Sequence, residues 1–209
     1  KKMGVNFPDF VDSELALWTD YIQNPSTGAA GYNSPFSPLG ELNETGALLI
    51  EQGYLGWDTS DARVQNALDY INTHWQETAT RTWDGNFGHP YAMWAIYKGL
   101  ELTIGIDDTT FITNLHTDPG DVDNPDHGWT WWEDYSEFLV SNQNADGSWT
   151  GYSSWPTALA TPWYINILAA TDIPDNGDDP PPIPEPGTLL LLGSGLLGIV
   201  VLVRRRARV

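Results

Sequence analysis

The chain has 209 residues, enough for one domain with a substantial core. Its formal net charge is −19, and 27 of its 28 acidic residues precede Pro184, while four of its nine basic residues are Arg204, Arg205, Arg206 and Arg208. The acidic body repels phosphate backbones, which argues against nucleic-acid binding, and the absence of cysteine excludes a thiol nucleophile, a thiolate metal site and a disulfide framework.

The chain begins "KKMGVNFPDF", without a starting Met and without an apolar run of signal-peptide length. It reads as a mature or partial sequence whose true start is missing. "VDSELALWTDYIQ" (11–23) then places Leu15, Trp18 and Ile22 at helical spacing. "TGALLIEQGYLG" (45–56) carries little charge on any face, the pattern of a helix buried on most sides. "SDARVQNALDYINTHWQ" (60–76) starts at a candidate Ser60 cap and aligns Val64, Leu68, Ile71 and Trp75 on one face. "YAMWAIYKGLELTIG" (91–105) is a second apolar run, and it aligns with the first when Gly53 is set opposite Gly99, an offset of 46. "WTWWEDYSEFLVSNQ" (129–143) is amphipathic through Trp131, Tyr135, Phe138 and Leu139. "TALATPWYINILAA" (157–170) is a third apolar run, with Pro162 expected to kink it. The alternation of amphipathic and apolar helices predicts an all-α domain of stacked helical hairpins.

"FLVSNQNADGSW" (138–149) adds a specific pattern: the pair Phe138–Leu139, then Gln143, then Gly147 and Trp149. It resembles the QW repeat of squalene–hopene cyclases and related terpenoid-cyclase and prenyltransferase proteins. "WDGNFGHP" (83–90) is a degenerate copy, with Phe87 in place of Trp149, and "YIQNP" (21–25) is a more distant one. The resemblance implies an α/α toroid. Three helical pairs are about half of such a ring, so residues 1–171 are expected to be a partial toroid, its inner helices left exposed by the missing half. In this pattern Gln143 is expected to satisfy orphan groups at a helix end, Asp146-Gly147 to turn the chain, and Trp149 to pack on a neighbouring helix. The chemistries of the family do not carry over. "DVDN" (121–124) lacks the last Asp of the cyclase acid motif, and the zinc site of protein prenyltransferases needs a Cys that this chain lacks.

Site candidates within the body are few. His89, in "FGHPYAMW", stands where an inner helix begins and has Asp84 nearby as a possible acid–base partner; the alternative is a helix-start residue followed by Pro90. His74 and His116 read as surface or loop residues. Trp83, Tyr91, Trp94 and Trp155 are candidates for stacking on sugar rings, although most of the 11 Trp read as packing. Asp118, Asp121, Asp123 and Asp126 offer carboxylates to Ca²⁺, at a spacing that matches no EF-hand; the favoured alternative is a solvated turn in which Asp126 caps the helix near Trp129. No other cofactor is expected. A pair of carboxylates converging on the concave face favours a glycan-processing or cyclase-like enzyme, and an aromatic face poor in carboxylates favours binding. No complete catalytic set is visible, which leans toward a binding or matrix-interaction protein.

The last stretch differs from all of this. A Pro/Asp-rich linker (172–183) leads into "PEPGTLLLLGSGLLGIVVLVRRRARV" (184–209). Residues 187–203 carry no charge and span about 26 Å as a helix, slightly short of a hydrocarbon core of about 30 Å. A transmembrane helix is expected there, with the basic tail 204–208 on the cytoplasmic side. Pro184, Glu185 and Pro186, the short apolar helix and the Arg cluster together resemble a PEP-CTERM sorting signal. The resemblance implies recognition by an exosortase, bacterial export, a transient stay in the inner membrane and then the cell surface or extracellular matrix. Extracellular polysaccharide is the partner that this location suggests.

Overall fold

The computed structural model describes residues 8–37, 41–79, 85–118, 129–152 and 154–170. The chain divides into two units, Lys1–Thr171 and Asp172–Val209, and every described residue belongs to the first. The expected linker, sorting motif, transmembrane helix and basic tail therefore lie outside the described residues. Among the described residues no helix is long and apolar enough to cross a membrane.

The described residues form an all-α unit of six helices: α1 (Asp9–Ile22), α2 (Glu41–Leu55), α3 (Ala62–Thr73), α4 (Pro90–Thr103), α5 (Trp131–Ser141) and α6 (Thr157–Ala169). Isolated bridges alone stand in for strands: Gln23 with Ala30, Thr78 with Phe87, Tyr152 with Trp155. Each bridge lies between two successive helices, antiparallel in the first and third cases and parallel in the second; α1 packs on α2 and α5 on α6, whereas α3 packs on α2.

The helix boundaries follow from local chemistry. Asp61, not Ser60, caps α3, accepting from the Arg63 N–H at 2.9 Å, because the preceding residues are used in a turn where Asp58 binds Ser60. Thr130, not Asp126, caps α5: its hydroxyl accepts from Glu133 N–H at 3.2 Å, and the Glu133 carboxylate accepts from Thr130 N–H at 2.8 Å. A left-handed glycine follows both α2 and α4, Gly56 at φ 82° and Gly105 at φ 81°. These stops set Gly56 opposite Gly105, an offset of 49. The offset of 46 that aligns Gly53 with Gly99 is thus corrected by one helical turn.

The centre of the fold is the crossing of α2 on α4. A Cβ on Gly46 would lie 2.5 Å from the Ile96 nitrogen, and one on Gly99 would lie 2.6 Å from the Gly46 carbonyl oxygen and 2.9 Å from Leu49 Cβ. Gly53 comes next against Leu102. Residue numbers rise together on the two helices, so they run parallel, with backbones touching where side chains are missing. Around them α1 and α3 pack on α2, and α6 packs on α4 and α5.

The amphipathic faces are buried largely where the sequence puts them. Val64, Leu68, Ile71 and Trp75 are all 1% exposed or less, and Trp131, Tyr135 and Leu139 are fully buried. Trp75 stacks on Tyr135 at 4.6 Å, and Phe87 meets both edge-on. Two expectations fail. Trp18 is exposed on α1, and Thr19 and Ile22 are the residues that turn inward. α6 is not buried on most sides: Ala160, Tyr164 and Ile167 face the core, while Leu159 and Ile165 are exposed, because among the described helices α4 and α5 are the ones that pack closely on it. The helix also continues through Pro162.

Candidate functional site

Glu44, Ala47 and Glu51 are among the half-buried residues of α2, and Tyr91, Trp94 and Lys98 among those of α4. Both sets step by three and four residues, so each marks one stripe of its helix. The Glu44 charge acts on Tyr91, whose hydroxyl is raised first by burial and then by Glu44 and Tyr32. The two stripes therefore approach each other at Glu44 and Tyr91.

On the α1 side this surface dips into a cavity of about 90 Å³ lined by Trp18, Ile22, Tyr32, Glu44, Leu48 and Glu51. The carboxyls are held away from their ordinary state. Glu44 is raised from 4.5 to about 7, by desolvation first and then by the Glu51 charge. Glu51 is raised by desolvation. Glu51 has no hydrogen bond or ion pair among the described residues, and Glu44 has only a long contact from Asn43 Nδ2, at 3.3 Å. Glu44 is thus poised to give or take a proton near neutral pH.

On the α6 side the surface is aromatic. Tyr91 and Trp155 are parallel, 2° apart with centroids at 5.7 Å, and Trp163 lies 6.0 Å from Tyr91. Trp94 carries the Lys98 ammonium at 5.3 Å from its ring, and Lys98 is held by Glu101 at 2.6 Å. Three sequence candidates, Tyr91, Trp94 and Trp155, therefore occupy this face or its border. Trp83 and Asp84 lie outside the described residues.

His89 is placed elsewhere. It is fully buried at the start of α4, where Nδ1 accepts from the Ala92 N–H at 3.1 Å, and its ring sits 4.7 Å from Trp155 and 5.4 Å from Tyr152. The ring thus caps the helix that begins at Pro90. Of the acidic-loop candidates, Asp118 alone is described; Asp121, Asp123 and Asp126 lie outside. Among the described residues no three His, Asp or Glu side chains converge as a metal site.

The pattern at 138–149 is structural: Asp146-Gly147 turns the chain and Trp149 packs on α6, while Gln143 is used differently from the expectation. Gln143 Nε2 donates to the Gly147 carbonyl at 3.0 Å within the turn. The helix-end carbonyl of Leu139, which takes a long bond from the Asn142 N–H at 3.3 Å, accepts a shorter one from the Trp149 indole N–H at 2.7 Å. Phe138 packs edge-on against Phe87, and Trp149 against Tyr164. The N-terminal copy repeats the device: Gln23 Nε2 donates to the Gly28 carbonyl at 2.9 Å and to the Arg63 carbonyl at 2.8 Å.

Sequence reasoning missed Glu44, Glu51 and Tyr32. The signal was present: two carboxylates seven residues apart on a helix otherwise apolar enough to be buried. It also missed the role of His116, whose N–H donates to Asp134 Oδ2 at 3.0 Å and whose Nδ1 lies 3.1 Å from Oδ1.

No curated protein and no solved structure matches the chain. Residues 182–206, which include Pro184, Glu185, Pro186 and the first three arginines of the tail, match the family model described as the PEP-CTERM protein-sorting motif, which supports export and sorting by an exosortase.

Proposed function

We propose that the protein is displayed at the cell surface or in the extracellular matrix and binds polysaccharide through the shared face of α2 and α4. The observation that carries this reading is the nearness of Glu44 to Tyr91, whose ring lies parallel to that of the buried Trp155. Aromatic faces stack on sugar rings and carboxylates accept their hydroxyls. The parallel α2–α4 crossing and the repeated Gln device support a partial α/α toroid as the scaffold. The apolar tail is proposed to hold the chain in the inner membrane, its arginines in the cytoplasm, until an exosortase acts at Pro184–Pro186. Calorimetric titration of the full chain with a panel of bacterial polysaccharides tests the binding role. Micromolar to millimolar binding that is lost in Tyr91→Ala/Trp155→Ala supports it, and no heat with any polysaccharide sinks it.

A second reading follows from the raised Glu44. A carboxyl protonated near neutral pH beside another carboxylate is the equipment of glycoside hydrolysis, with Glu44 as acid and Glu51 as its partner. Release of reducing ends from a bound polysaccharide, lost in Glu44→Gln with binding retained, distinguishes this reading from binding alone.

A further inference from the structure

Helix α1 is apolar on two faces. Thr19 and Ile22 are buried, and the helix packs on α2. Phe10, Leu17 and Tyr21 recur at intervals of seven and four residues, share the opposite side and are 67%, 65% and 54% exposed. A helix covered on one side normally carries polar and charged residues on the other. Trp18, 41% exposed, widens this stripe through its ring contact with Tyr21 at 5.9 Å, and Tyr32 continues it across the depression that it lines together with Trp18. An aromatic side chain has about 200 Å² to bury, so these five residues leave on the order of 500 Å² of contiguous apolar surface in water. Monomers rarely expose a patch of more than a few hundred Å².

The size of this patch selects its occupant. A specific interface of standard size takes about 800 Å² from each partner, roughly 60% of it apolar. The stripe provides that apolar share, and the exposed Asp9, Ser13, Glu14 and Asp20 around it provide a polar rim. A two-fold axis sets one such stripe against its own copy, so a second chain fits without any further complementary surface. Other occupants fit less well. Phe10 and Leu17, on the line of the stripe, have no polar tip to meet the hydroxyls of a sugar, and the acidic rim is repelled by an anionic lipid surface. We propose that the α1 stripe is a homodimer interface, in which Phe10, Leu17, Trp18, Tyr21 and Tyr32 of one copy pack against the same residues of a second. The proposal goes beyond the polysaccharide reading and does not depend on it.

Sedimentation of the full chain in a mild detergent, over a range of about 1–100 μM, reads the equilibrium, and a reversible dimer with a micromolar Kd is expected. Each copy carries a formal charge of −19, so the copies repel and rising salt should tighten the dimer. The double variant Leu17→Gln/Tyr21→Gln replaces two exposed residues by a good helix former, so the fold is kept and its melt in dilute solution matches that of the parent. It should raise Kd by about thirtyfold or more. Association through the apolar tail is untouched by these substitutions, so a dimer of equal strength in the variant overturns the proposal, as does a parent that stays monomeric over the whole range. A monomeric parent whose polysaccharide binding is lost in the double variant assigns the stripe to sugar and overturns it too. Proximity is read separately. The chain has no Cys, so Leu17→Cys and, as a control at an exposed position of α5, Val140→Cys each carry a single thiol. A short bis-maleimide should join Leu17→Cys chains into covalent dimers and leave Val140→Cys chains single; cross-linking of both alike, or of neither, overturns the proposal.

Discussion

The indole N–H of Trp75, on the segment after α3, donates to Asp134 Oδ2 on α5 at 2.7 Å, and both residues are buried. The same carboxylate accepts the His116 N–H and faces the His116 Nδ1. One buried charge therefore ties together the second helix pair, the segment before α5 and α5 itself. A buried carboxylate is tolerated only while its acceptors are filled, and here three donors fill them. Asp134→Ala leaves the indole, the amide and the imidazole without their acceptor. It should cost about 3 kcal/mol, whereas Trp75→Phe, which removes one donor and three buried ring atoms but keeps an aromatic ring, should cost about 1–2 kcal/mol. Urea unfolding checks the order; equal losses would mean that packing of the indole, not its hydrogen bond, dominates.

The α2–α4 crossing gives a sharper contrast. Gly46→Ala places a methyl 2.5 Å from a backbone nitrogen, and backbone cannot swing aside as a side chain can. The helices must separate, at about 1–3 kcal/mol of overpacking, which exceeds the gain of about 1 kcal/mol in helix propensity. Gly53→Ala on the same helix meets nothing closer than Leu102 Cβ at 3.6 Å, so propensity wins and stability rises by about 0.5–1 kcal/mol. Thermal unfolding of the two single variants should move in opposite directions.

Much of this architecture was legible because burial writes itself as periodicity. Val64, Leu68, Ile71 and Trp75 recur at helical spacing and are all buried. The α6 exposure was not legible, since an apolar helix with few packed neighbours has the same composition as one with many. The 46-residue register failed for a related reason. Gly53 and Gly99 look equivalent as letters, but Gly99 serves a close approach while Gly56 and Gly105 end their helices. The acidic cavity was half legible. Glu44 and Glu51 stand out on α2, yet Trp18 and Tyr32 join them only through the path of the chain between α1 and α2.

Glu44 makes stability depend on pH with a definite sign. The unfolded chain releases this proton near 4.5 and the folded chain near 7, so between these values folding takes up a proton. The group's contribution is neutral below about pH 4.5, and stability falls as pH rises through the window to about 7. Glu44→Gln removes this loss. Discounted for the solvent that screens a half-exposed carboxyl, the gain above pH 7 should be about 1 kcal/mol, or about 2–4 °C in melting temperature. At about pH 4 the variant and parent should melt together. A gain that is equal at both pH values would assign the effect to packing instead of charge.

The sorting motif makes a prediction that is separable from everything in the helical unit. Pro184 and Pro186 lack N–H donors and restrict φ, properties that disfavour helix and sheet pairing. An enzyme that reads an extended peptide needs that geometry, and Glu185 provides the one charge between the linker and Arg204. Replacing Pro184, Glu185 and Pro186 by alanine adds helix formers directly ahead of an apolar run, so the run can extend through the site and hide it. The variant should accumulate uncleaved in the membrane fraction, with the melting temperature of its helical unit unchanged. Cell fractionation with an antibody to residues 8–37 reads the outcome. Processed protein at the surface in undiminished amount would show that residues 182–206 do not direct sorting in this chain.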